Sequence, residues 1–163
     1  MKAETRRIPA GDLGTLATVR EMRKLVDKGV RNPLTVRLAS AIVEGAHGHR
    51  ASQAMAIRGW LDLRTVYQDD PYGIELLRSV PEMLADIRQR GAAALDCDDV
   101  AILGAALGKA VGLRPRFVLF GFEPSGPYRH IFTELATPEG WVDLDITRPP
   151  RLPPVARSLT VPV

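Results

Sequence analysis

Nine consecutive residues, 100–108 (Val-Ala-Ile-Leu-Gly-Ala-Ala-Leu-Gly), carry no polar side chain. Asp96, a helix N-cap residue type, precedes the run, and Gly112, a C-cap type, follows it. The pattern predicts a helix over 96–111 that is apolar almost all round. Such a helix has no face to offer water, so other elements must cover it on every side. The run is far short of the ~18 apolar residues that a membrane-spanning helix needs, and no other stretch approaches that length. It is therefore read as the centre of a globular core.

The residues before it supply helical cover. Residues 15–28 place Leu16, Val19, Met22, Leu25 and Val26 at helical spacing, with Gly29 as the stop. Pro33 opens a second helix, striped by Leu34, Leu38, Ala41 and Ile42 and ending at Gly45. Residues 46–50 form a loop, and a third helix runs from about 52 to 63 through Met55, Ile57, Trp60 and Leu61. Residues 65–68 are briefly extended and 69–73 form a turn by composition. Pro81 leads 82–89 into a further short helix closed near Gly91.

Beyond the apolar helix the periodicity changes. Three strand candidates, 116–122, 130–136 and 141–146, are separated by turn material at 123–127 and 137–140. Five of the 13 prolines fall in the last 15 residues, which predicts an extended tail over 148–163. Helices first and antiparallel strands second give an α+β class. The 163 residues form one domain: a helical half over about 12–92, a core over about 93–147, then the tail.

Composition narrows the function classes. At 45% hydrophobic and 25% charged residues the chain is an ordinary globular one, neither disordered nor collagen-like. Residues 1–95 carry a net +4 and residues 96–163 a net −1, with the basic residues interleaved among acids. That is not the clustered charge of a nucleic-acid footprint, so no nucleic-acid partner is expected. The single cysteine, Cys97, excludes an internal disulfide and fits a reducing compartment. No secretory signal follows the first residues, and a cytoplasmic location is expected. His47-Gly48-His49 is too sparse for a metal site, and the glycines show no phosphate-binding fingerprint; no metal or cofactor is expected.

Cys97 stands at the start of the apolar helix, directly after Asp96. The positive end of a helix dipole favours a thiolate there, whereas Asp96, Asp98 and Asp99 oppose it by like charge. An adjacent imidazolium would decide that contest. His130 begins the second strand candidate, with Phe132 and Glu134 on its face, and Asp145 ends the third. A hairpin across 138–140 puts the start of one strand beside the end of the other, and so Asp145 beside His130. A carboxylate in that place accepts the imidazole N–H and fixes its tautomer.

The order of these residues resembles the transglutaminase-like superfamily of papain-like cysteine enzymes, in particular its short phage-associated and bacterial members. Asp96-Cys97-Asp98-Asp99-Val100-Ala101-Ile102-Leu103 is similar to the nucleophile block G-D-C-x-D-x-A-x-L. Gly112-Leu113-Arg114-Pro115-Arg116-Phe117 resembles the segment that enters the first strand. His130-Ile131-Phe132-Thr133-Glu134-Leu135 is similar to H-a-W-v-E-v, and Trp141-Val142-Asp143-Leu144-Asp145-Ile146-Thr147 to W-x-x-x-D-P-T. The resemblance covers about 91–147 and departs from the pattern at Leu95, Phe132 and Ile146. Tyr67 and residues 70–77 are similar to a segment ahead of the nucleophile in the phage-type members.

The resemblance implies a Cys97–His130–Asp145 triad. Asp143 is the rival for the third place, and the interval from Trp141 favours Asp145. It further implies a thioester-forming amide or isopeptide hydrolase, or an acyltransferase, acting on a peptide or protein amide. A phage or bacterial protein partner fits the same resemblance. The competing reading is a non-catalytic binding or structural module. Trp141 is expected to pack under the strand pair and Glu134 to be solvated or paired. The backbone N–H of Cys97 is a natural oxyanion donor, with Tyr72 and Gln89 as sources of a second.

Overall fold

The computed structural model describes residues 11–70, 76–147 and 152–163. Helices α1 (Asp12–Val30), α2 (Pro33–Ile42) and α3 (Arg50–Arg64) come first, with a 3₁₀ turn at Glu44–Ala46. Strand β1 (Thr65–Tyr67), helix α4 (Val80–Arg90), strand β2 (Ala93–Leu95) and helix α5 (Cys97–Ala110) follow. Strands β3 (Arg114–Gly121), β4 (His130–Thr137), β5 (Gly140–Asp143) and β6 (Arg157–Pro162) complete the chain. The class is α+β.

Local chemistry starts and stops the helices. Asn32 accepts a hydrogen bond from Leu34 N at 2.9 Å, ahead of Pro33 at the first helical position of α2. Glu82 reaches back to Ser79 N at 3.0 Å and so caps α4. Asp96 Oδ1 accepts from Asp99 N at 3.0 Å to start α5. At the other end Gly112 takes φ +78°, and Leu113 N closes on Gly108 O at 3.0 Å. That left-handed turn swings the chain from helix into β3.

Helix α5 touches all four other helices on one side and β3 and β4 on the other. Its residues Val100–Gly108 are all buried, as an apolar helix requires. Phe117 and Leu119 from β3, and Ile131 and Leu135 from β4, form the sheet side of this core.

The four-stranded sheet has order β5-β4-β3-β6 and is antiparallel throughout. A second, two-stranded sheet pairs β1 with β2 in parallel. Two sequence expectations change here, and β2 is a strand that no alternation announces. The third strand candidate ends at Asp143, so Asp145 lies in the turn beyond it. The proline-rich end is more than an extended tail: residues 157–162 pair with β3 as an edge strand, with Pro162 at its last position.

Candidate active site

Two devices aim the start of α5. The ladder of β1 and β2 ends at Tyr67 opposite Leu95, and Gln68 N donates to Leu95 O at 3.0 Å. Leu95 is 1% exposed and is a core residue. Two residues on, Cys97 becomes the first residue of the helix. One turn along, Ala101 O accepts from the buried Thr133 Oγ1 at 2.7 Å, which pins α5 to the strand that begins with His130.

The sheet brings the second and third residues together. β4 extends beyond β5 at its His130 end. Leu144 N continues the pairing one step past β5 by donating to Thr133 O at 2.9 Å. The chain then turns, with Asp143 Oδ1 accepting from Asp145 N at 2.5 Å. His130 Nε2 and Asp145 Oδ2 lie 2.6 Å apart, and the two side chains are 7% and 0% exposed. The other carboxylate oxygen accepts from Thr147 N and Thr147 Oγ1, each at 3.0 Å. Arg58 from α3 holds the Asp145 carbonyl at 3.4 Å. Asp143 thus caps the turn, and Asp145 is the residue on the imidazole. With Asp145 ionised, Nε2–H donates to Oδ2 and Nδ1 is left as the basic nitrogen.

Cys97 sits at the same sheet edge. Residues two apart in a strand direct their N–H groups to the same side. Thr133 faces β5 with its carbonyl, so the Ile131 N–H points off that edge where β5 has ended, and it donates toward Cys97 Sγ. The thiol lies 3.6 Å from Asp98 Oδ1. No hydrogen bond joins Sγ to the imidazole among the described residues. The three residues therefore meet as a bonded His130–Asp145 pair with Cys97 beside the adjoining peptide.

Burial adds to the carboxylates, and of the two opposing influences read from the sequence these prevail over the helix dipole. Burial pushes the Cys97 thiol up, and the carboxylates of Asp98 and Asp96 push it further. The Ile131 N–H works in the opposite direction and is outweighed. At rest the residue is a neutral S–H. Asp99, the third acid of the cluster, turns away from the thiol to accept from Arg78 N at 3.0 Å. Burial raises its carboxyl to about 7.

The flanking residues sort themselves. Glu134 is paired with Arg116 at 2.6 Å and takes no part in the site. Trp141 does not pack under the strands: it is 44% exposed, with the Arg116 guanidinium 3.7 Å above its ring. Gln89 is exposed in the last turn of α4, at the Ala93 end of β2, whereas Cys97 follows the Leu95 end. Tyr72 lies outside the described residues. A nearer phenol that the sequence reading did not weigh as a donor is Tyr67, which donates to Asp69 Oδ1 at 2.5 Å. Burial and that carboxylate push its phenol up, and the Asp96 carboxylate adds to the shift. No signal in the sequence pointed to it, because the pairing of β1 with the residues before Cys97 is visible only in the fold.

His47 and His49 are exposed on either side of Gly48, and no group of three metal-binding side chains occurs among the described residues. No helix among them is long and apolar enough to cross a membrane. Comparison with known proteins finds no matching family model, no curated relative and no similar solved structure.

Proposed function

We propose that the chain is a transglutaminase-like cysteine enzyme that cleaves an amide or isopeptide bond through Cys97, His130 and Asp145. The observation that carries the reading is the buried 2.6 Å pair of His130 and Asp145 at the sheet edge where the Ile131 N–H reaches the Cys97 thiol. A solvated histidine needs no such partner. A buried one, held by a carboxylate that itself accepts two further hydrogen bonds, is oriented for proton transfer.

Because the thiol is neutral at rest, His130 acts as a general base and not as half of a standing ion pair. Nδ1 takes the S–H proton as Sγ attacks the carbonyl carbon, and the C–N bond breaks as the imidazolium returns that proton to the departing amine. The product is a thioester on Cys97. Water, deprotonated by His130, then releases the acid and restores the thiol. An amine in place of water gives transfer by the same steps. The oxyanion is met by the Cys97 N–H, one of the first-turn donors that a helix leaves without an internal partner.

A second reading, a non-catalytic module on the same fold, is favoured by one observation: burial and the Asp98 and Asp96 carboxylates all raise the thiol. The two are separated by incubating the chain with a peptide p-nitrophenyl ester and following intact mass. The enzyme forms a hydroxylamine-sensitive acyl adduct on Cys97 with release of nitrophenol, and the adduct fails to form in His130→Ala. A chain that stays unacylated, or is acylated equally in both forms, is a module and not an enzyme.

A further inference from the structure

In the helical half, Leu34 and Leu38 of α2 and Trp60 and Arg64 of α3 line a common groove with α4, whose Leu84 and Arg88 are among the several residues that it contributes. The groove is half open and holds about 490 Å³. No carboxylate lines it among the described residues.

The groove has a head and a tail. Arg64 Nη1 donates to Gly91 O at 3.0 Å, which ties the end of α3 to the end of α4. Arg88 lies in the last turn of α4. Both guanidiniums therefore stand at the same end. From there the lining runs back along α4 to Leu84 and Pro81, over Trp60 and the two leucines of α2, with apolar side chains only. Arg64 spends one donor on Gly91 and keeps the rest of its fork, and Arg88 adds a second fork.

We infer that this groove binds a small amphiphilic carboxylate, with the acid head on Arg64 and Arg88 and an alkyl or aryl tail along Trp60, Leu38 and Leu84. Charge selects the anion, and the apolar lining, free of carboxylates among the described residues, takes the tail. At about 490 Å³ the groove has an ordinary small-molecule volume.

The chain has two tryptophans, so Trp141→Phe leaves Trp60 as the sole emitter. Dodecanoate titrated below its micellar concentration changes that emission saturably. Arg88→Gln, whose exposed head leaves the Arg64–Gly91 tie in place, weakens dodecanoate by about ten-fold, the loss of one charge-assisted contact. Dodecanol binds at least as weakly as dodecanoate does to that variant. Calorimetry on the unsubstituted chain gives the same order if Trp141→Phe does not fold. Equal binding of dodecanol and dodecanoate, indifference to Arg88→Gln, absence of saturable binding, or binding of an acidic amphipathic peptide in place of dodecanoate each overturns the inference.

Discussion

Asp145 carries the most constraints of any single residue in the site. Oδ2 meets the imidazole at 2.6 Å and Oδ1 receives two hydrogen bonds from Thr147. Replacing Thr147 by Val removes one of those bonds and keeps the other, and the expected cost is about 1 kcal/mol, read as a lower urea midpoint. Acylation of Cys97 should slow in the same variant while His130 stays in place. An unchanged midpoint and rate would show that the hydroxyl orients nothing. Asp99 makes a prediction of the opposite electrostatic kind. Its carboxyl, raised by burial to about 7, holds its proton more tightly in the folded chain than in the unfolded one, where about 3.9 is usual. Its contribution to stability is therefore complete below about pH 4 and is lost as pH rises to about 7. Between pH 5 and pH 8 the parent should lose more stability than Asp99→Asn, whose amide oxygen still accepts from Arg78 N. Equal losses would contradict the shift.

At the scale of elements, the site depends on how closely α5 lies on the sheet. Gly108 has no side chain because Leu135 of β4 occupies the space: a Cβ there would run into Leu135 Cδ2 and come within 2.9 Å of Cδ1. Alanine gains helix propensity of up to about 1 kcal/mol and pays an overpacking cost of about 1–3 kcal/mol. Gly108→Ala should be neutral to destabilising in urea, whereas a net gain would mean that α5 and β4 are not in contact. Thr133→Val keeps the volume and deletes the bond to Ala101 O, so it should cost about 1 kcal/mol. It should also slow acylation, because that bond registers Cys97 against His130. This registration was only partly legible in the sequence. The all-apolar run, Asp96 and Gly112 announce α5 and its ends without ambiguity. Ala93-Ala94-Leu95 has no strand propensity to read, and its pairing with β1 is imposed by the helices that precede each strand. Residues 159, 161 and 163 do alternate as a strand would, but the surrounding prolines outweigh that signal in a reading by composition.

Across the whole molecule, the two sheets serve one purpose. The parallel pair delivers Cys97 to the start of the central helix, and the antiparallel four deliver His130 and the Asp145 turn to the same edge. Residues 48 positions apart in sequence, Cys97 and Asp145, are neighbours only because the helix and the hairpin share that edge. The order Cys, His, Asp was readable in the sequence. The burial that keeps the thiol neutral was not, because it depends on residues distributed over the whole chain. The groove of α2, α3 and α4 was hidden for the same reason: each helix stripe reads as ordinary core until the three are assembled. The central claim is that His130 activates a thiol that burial would otherwise silence. It is tested most directly by the pH dependence of Cys97 alkylation with iodoacetamide, in the parent and in His130→Ala. The parent should reach a plateau of reactivity below the ordinary thiol range of about 8.5. In His130→Ala that plateau should vanish. A thiol inert at every pH, or one profile shared by both forms, would contradict the account.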